Sequence, residues 1–260
     1  MPAMMPQPPE LGPAGLCAVV LAAGEGTRLR PLSRQRPKPL CPVGNVPLVD
    51  LAIERVRAAT PDVAVNVHHD RDAIAAHLDG RVHLSVEEDE ALGTAGALGH
   101  LRPWIDGRAV VVVNADTWCP GPLDGIAAGW DGERARLLLA GDRRLRPTSR
   151  IAAALLPWAH VAPLAPVPSG LYEVSWWRLA EEDRIDAVCW DGPCLDCGTP
   201  ARYLHANLAA SDGLPVVEPG AVVAPTAVVE RSVLWAGAVV RPGEHLVDAV
   251  RTSTATVLVR

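Results

Sequence analysis

The chain has 260 residues, 49% of them hydrophobic, and a formal net charge of -6. That is apolar material for one large domain plus a small appendage. The acidic balance, with no basic stripe interleaved with aromatics and no phenylalanine at all, argues against a nucleic-acid binder. In chain order, residues 1–14 are proline-rich and lack the charged start of a signal peptide, so they read as a disordered tail of a cytoplasmic protein. An apolar run of about nine residues follows, too short to cross a membrane and suited to a first strand. Strands are expected near 16–22, 62–67, 82–86, 108–113 and 135–140, with helices near 46–59, 70–79, 93–101 and 122–129. Strands alternating with helices predict an α/β fold with a mostly parallel sheet, whose ligands bind beyond the carboxyl ends of the strands.

Two features gather at those ends. The first strand opens directly into Gly24-Glu25-Gly26-Thr27-Arg28, and Asp116 follows the run Val110-Val111-Val112-Val113. The glycine loop is neither a dinucleotide fingerprint, since position 29 is leucine, nor a P-loop, which would need a second glycine followed by Lys-Ser/Thr. It remains a loop in which Gly24 and Gly26 let backbone N-H groups approach phosphates, with Thr27 and Arg28 as further donors. Ten residues beyond Arg28 stands Lys38, the single lysine among the 24 basic residues. A lysine retained in so arginine-rich a chain suits a compact, rotatable charge that tracks a reacting phosphate. A coding bias toward arginine would also leave one lysine by accident. Asp116 suits a hard oxygen ligand for Mg²⁺, and equally a turn or helix-capping residue.

The string Gly24 to Leu32 followed by Pro37-Lys38-Pro39-Leu40 resembles the signature of the sugar-1-phosphate nucleotidylyltransferases. Leu92-Gly93-Thr94-Ala95-Gly96, Asn114-Ala115-Asp116 and Leu195-Asp196-Cys197-Gly198-Thr199-Pro200, the last ahead of a helix with Tyr203, appear in that family's order. The likeness spans roughly 16–210. In overall texture it is nearest to mannose-1-phosphate guanylyltransferase-like proteins, notably at Asn45-Val46-Pro47-Leu48 and Val65-Asn66-Val67-His68. It implies a Rossmann-like nucleotidyltransferase domain over 15–212. It also implies Mg²⁺-dependent transfer of a nucleoside monophosphate from an NTP to a sugar 1-phosphate, giving an NDP-sugar, with GDP-mannose a candidate, and pyrophosphate.

The resemblance further implies site residues. Arg28 and Lys38 become the catalytic cations on the triphosphate. Leu21, Ala22, Ala23, Gly24, Gly26, Thr27, Gly93 and Thr94 join them as nucleotide-binding residues. Asp116 and Asp196 share one Mg²⁺, with Cys194 replacing the family's tryptophan in the wall beside them. Glu87 or Glu88 is read as a base contact or as part of a solvated acidic loop. The acceptor side departs from the pattern, because no second lysine exists and the expected strand reads Pro168-Ser169-Gly170-Leu171-Tyr172-Glu173. Ser169 and Gly170 are the sugar-binding candidates, and an arginine of Arg143-Arg144-Leu145-Arg146 is a candidate replacement for the lost cation. The missing lysine keeps two alternatives open, a catalytically weak nucleotide-sugar-binding subunit and a transferase for a non-sugar phosphate.

Three smaller signals complete the reading. Cys189, Cys194 and Cys197 mimic three ligands of an iron-sulfur site but have no fourth, so the six cysteines are read as reduced thiols. His68-His69-Asp70 reads as a helix cap rather than a ligand pair. From 213 to 260 the texture changes to a six-residue recurrence, Val217, Val223, Val229, Trp235 and Val247, broken at Arg241. It resembles the hexapeptide repeats of a left-handed β-helix, with those residues as the core of a short stack and a candidate contact for a homo-oligomer.

Overall fold

The computed structural model describes residues 15–259; the tail expected over 1–14 lies outside them. The chain forms two compact units. The first comprises the described residues through Gly24 with Ala52–Ala115 and Cys119–Cys194, the second Glu25–Leu51, Asp116–Trp118 and the chain from Leu195 onward.

The first unit is built on seven strands: β1 (Leu16–Leu21), β2 (Val63–Val67), β3 (His83–Val86), β4 (Ala109–Asn114), β5 (Ala135–Ala140), β6 (Ile151–Leu156) and β7 (Ile185–Trp190). Their order is β7-β5-β6-β4-β1-β2-β3. All neighbours are parallel except β6, which runs antiparallel to both β4 and β5. Cys17 to Val20 are completely buried, as a parallel strand covered on both faces demands, and this is why β1 is a continuous apolar run rather than an alternating one. The helices are α1 (Leu48–Arg57), α2 (Arg71–Leu78) and α3 (Gly93–Ile105). Helix α3 buries Ala95, Leu98, Leu101 and Ile105 into the sheet core. Asp70 occupies the N-cap of α2, but its backbone is left-handed and its side chain makes no cap bond.

Three expectations are corrected here. Residues 122–129 are not a helix. Their bonds run Ile126 N to Leu123 O, Ala128 N to Gly125 O and Trp130 N to Ala127 O, a chain of separate turns among Gly121, Gly125 and Gly129. Residues 168–173 are not a strand. Leu171 opens a helical stretch, a π turn over Tyr172–Trp176 and an α turn over Trp177–Glu181, because Leu171, Ser175, Trp176 and Leu179 recur at helical spacing and are all buried. Strands β6 and β7 were not anticipated. Strand β6 is an alanine-rich run that suits a helix as well as a strand, and Asp186 and Cys189 interrupt the apolar pattern of β7.

The second unit contains three single 3₁₀ turns, at Thr27–Leu29, Leu32–Arg34 and Lys38–Leu40, and a two-strand antiparallel ribbon of Thr117–Trp118 with Leu195–Asp196. Helix α4 (Pro200–Ala210) starts on Thr199, whose hydroxyl accepts from Arg202 N, with proline at its first position. The tail is a parallel β-helix-like stack in which Val216 pairs with Val233, Val222 with Val239, Val228 with His245 and Val233 with Val250. Every coil therefore advances 17 residues, one short of three hexapeptides, so the six-residue series follows the ladder rows in the first coil, where Val217 and Val223 pair with Leu234 and Val240, and falls one residue out of step from Trp235 onward. Val217 and Val223 are each 39% exposed, while Val216, Val233, Leu234, Val240, Leu246 and Val250 fill the core. Only Trp235 of the expected core series is fully buried. Among the described residues no helix is long and apolar enough to cross a membrane.

Candidate active site

In the second unit, Lys38 is carried on a 3₁₀ turn framed by two prolines. Leu40 N donates to Pro37 O and Cys41 N to Lys38 O, so the lysine backbone is held by the segment's own stiffness. The side chain is 6% exposed and ends on carboxylates, Nζ lying 2.7 Å from Asp116 Oδ2 and 3.8 Å from Asp196 Oδ1. The ribbon brings those two aspartates together, because Asp196 stands opposite Thr117 and Cys197 N donates to Asp116 O at 2.9 Å. Asp116 is at once a turn residue and a member of the acidic pair. Its other oxygen accepts from Thr117 Oγ1 at 3.1 Å.

Arg202, which the sequence reading passed over, donates from Nη1 to Asp196 Oδ2 at 2.6 Å. Its signal was available: a Thr-Pro helix start places the third helical residue over the acidic residue just upstream. Gly198 lies among these side-chain ends. A Cβ there would lie 2.7 Å from Asp196 Oδ1 and 3.1 Å from Arg28 Nη2. Arg28 itself is exposed and has no ion pair among the described residues, and Thr27 beside it is exposed as well. The unit thus brings Arg28, Lys38, Asp116 and Asp196 near one another, together with Arg202 and Gly198.

In the first unit, Leu21 ends β1 opposite both Asn66 of β2 and Asn114 of β4. Ala22 N donates to Asn66 Oδ1 at 2.9 Å, Asn66 Nδ2 donates to Glu87 Oε1 at 2.7 Å, and Leu92 N donates to Glu87 Oε2 at 2.8 Å. Glu87 is 1% exposed with both oxygens engaged, so it clamps the Ala22 and Leu92 loops and is not a base contact. Glu88 points outward and pairs with Arg71. Ala22 and Ala23 are buried, while an added Cβ on exposed Gly24 would meet nothing within 4 Å.

Gly93, with φ +69°, and Thr94 are stitched to the sugar candidates. Ser169 N donates to Leu92 O, Ala95 N to Ser169 O, and Leu171 N to Thr94 Oγ1 at 2.8 Å. A Cβ on Gly93 would sit 2.6 Å from Ser169 O, and one on Gly170 2.0 Å from Glu173 Oε2. The Ser169 backbone and the positive φ dictate glycine at Gly93, whereas the atom nearest Gly170 is the end of a flexible side chain that can move away. The Arg143–Arg146 loop is exposed and turns back on Asp142, which accepts from Arg143 N and Arg144 N.

The family described as "Nucleotidyl transferase" matches residues 17–135. The chain is 31% identical to the N-acetylmuramate alpha-1-phosphate uridylyltransferase of Caulobacter vibrioides over 229 residues, covering 73% of this chain and 95% of that one. The chain belongs to the sugar-1-phosphate nucleotidylyltransferases. A mannose-1-phosphate guanylyltransferase of Mycobacterium tuberculosis is 27% identical over 90% of this chain and 79% of its own. A Thermus thermophilus structure described as "mannose-1-phosphate geranyltransferase" shares the fold with a TM-score of 0.68 and 19% identity, covering 94% of each chain.

Enzymes of this family transfer nucleotides with the help of a divalent metal, and the donor set fits one. Two carboxylates already converge on a single ammonium, so they can share one cation, and oxygen donors of this kind suit a hard divalent ion completed by phosphate and water. Cys189, Cys194 and Cys197 are free thiols. Among the described residues no group of three or more His, Cys, Asp or Glu could hold a metal, and no disulfide links the cysteines. Burial pushes the Cys197 thiol up to about 12, leaving it protonated beside Asp196.

Proposed function

We propose that this nucleotidyltransferase joins an NTP to a hexose 1-phosphate, with Arg28, Lys38, Asp116 and Asp196 as its working residues. A sugar-phosphate oxygen attacks the α-phosphorus, the bond from that phosphorus to the bridging oxygen breaks, and pyrophosphate leaves. No protein nucleophile is needed. Lys38 and Arg28 neutralise charge spreading onto the phosphate oxygens, and N-H groups of the Gly24 to Thr27 loop orient them. Asp116 and Asp196 would hold Mg²⁺, which when bound polarises the phosphates. Gly93 and Thr94, with Leu21 to Ala23, take the nucleoside, and Ser169 and Gly170 the sugar. The single observation that carries the reading is the Lys38 ammonium seated between two aspartates, with exposed Arg28 near Asp196.

GTP with mannose 1-phosphate is the first pair of choice, since the mycobacterial guanylyl enzyme aligns with 90% of the chain. UTP with N-acetylmuramate 1-phosphate is the second, supported by the match over 95% of the Caulobacter enzyme. Pyrophosphate release, measured with each NTP, a panel of sugar 1-phosphates and Mg²⁺, tests both. The reading expects one pair to work and Lys38→Ala or Asp116→Asn to lower kcat by roughly 10² to 10³. Tight nucleotide binding with no release from any pair would replace it with a binding subunit or a non-sugar acceptor. The exposed tail valines, Val222 and its ladder partner Val239 among them, are the proposed contact between copies, testable by light scattering of Val222→Glu.

A further inference from the structure

The segment carrying Lys38 is gripped at its upstream end by the tail. Arg36 presents a guanidinium fork to Glu218, Nη1 to Oε1 at 2.7 Å and Nη2 to Oε2 at 3.2 Å. Glu218 Oε2 also accepts from Ala236 N at 2.6 Å, and its side chain is only 11% exposed. The same guanidinium lies 4.6 Å over the ring of Trp235, whose indole N-H donates to Tyr203 Oη at 3.0 Å. Downstream, Pro42 O accepts from both Tyr203 Oη and Asn207 Nδ2, Gly44 N donates to Asn207 Oδ1, and Asn45 Nδ2 donates to Val217 O. Residues 36 to 45 are therefore held at both ends by groups from α4 and the first coils of the tail.

We infer that Glu218 is a positioning residue for Lys38, acting through Arg36, so that the β-helical tail is part of the catalytic apparatus rather than an appendage. Only Pro37 separates Arg36 from Lys38, and Pro39 follows. With backbone φ locked on either side, the segment has little freedom to absorb a displacement of Arg36. A bidentate, charge-assisted fork stacked on an aromatic face fixes both the position and the plane of the guanidinium, which a single hydrogen bond would not do. Lys38 in turn must place Nζ to within a fraction of an ångström to serve a reacting phosphate. The inference rests on the catalytic reading of Lys38, and its test has a readout independent of that reading.

Because Lys38 is the only lysine, acylation by an amine-specific reagent, followed by mass spectrometry of the full-length chain, reports its side chain free of any other lysine signal. Glu218→Gln keeps the shape and loses the charge and one acceptor. Arg36→Gln removes the fork from the other side and serves if the first variant folds poorly, folding being checked by thermal melting. The expected result in either variant is a several-fold faster acylation of Lys38 and a kcat about tenfold or more below wild type with nucleotide KM little changed. The charge-swapped pair Arg36→Glu with Glu218→Arg should recover part of both. Unchanged acylation in folded variants overturns the inference even if no substrate pair supports turnover. Faster acylation with unchanged kcat in an active enzyme overturns it too.

Discussion

Gly26 faces Lys38 so closely that a Cβ added to the glycine would lie 2.9 Å from the lysine Cβ. The absence of a side chain at Gly26 is thus what lets Lys38 lie along the loop, and the glycine's φ of +68° independently disfavours any side chain. Gly24, two residues earlier, has open space around it and no positive φ.

The two glycines should therefore answer differently to alanine. Gly26→Ala displaces Lys38 and is expected to lower kcat by about ten- to a hundredfold, with a loss of stability of about 1 kcal/mol from the left-handed backbone. Gly24→Ala should leave the melting temperature unchanged. Any activity lost in Gly24→Ala then reports close approach of the nucleotide, and parallel melting and kinetic assays separate the two cases.

Glu87 offers a second test. As a carboxylate it accepts from Asn66 Nδ2 with one oxygen and from Leu92 N with the other. Glu87→Gln has a single acceptor oxygen, so one of the two donors must face an NH₂ group in a site 1% exposed. A destabilisation of about 1–3 kcal/mol in urea is expected, together with a raised nucleotide KM, since Ala22 and Leu92 lose their common anchor. Near-wild-type stability would show that water reaches the site.

Alkaline pH gives a third. Burial pushes the thiols of Cys17 and Cys41 up to about 12, whereas in the unfolded chain they ionise near pH 8.5. A raised folded pKa means that the stabilisation is complete below the unfolded value and is lost as pH rises through the window up to about 12. At pH 10 each thiol should cost on the order of 1–2 kcal/mol relative to pH 8. Melting curves across that range should fall less steeply for Cys17→Ala and Cys41→Ala than for the parent chain.

What could be read from the chain alone lies within about ten residues of a backbone constraint. Glycine and proline permit or forbid φ values locally, and an apolar run reports a doubly covered strand locally. The parallel core of the sheet was accordingly legible, and so were Lys38, Asp116 and Asp196 as residues worth placing, which the structure brings together. Failures occurred where the periodicity was ambiguous, as in the glycine-broken turns at 122–129, or where exposure depended on place in the stack, as in the tail, whose first-coil Val217 and Val223 are part-exposed although their ladder partners Leu234 and Val240 are buried. Glu87 looked like one more acidic loop residue because nothing local distinguishes a buried clamp from a solvated carboxylate. Arg36 and Glu218 meet across 182 residues of sequence, and Lys38 and Asp116 across 78. Such pairings depend on strand register and coil stacking, which follow from the packing of the whole core, and so tertiary structure alone decided which charges face one another and what holds the single lysine in place.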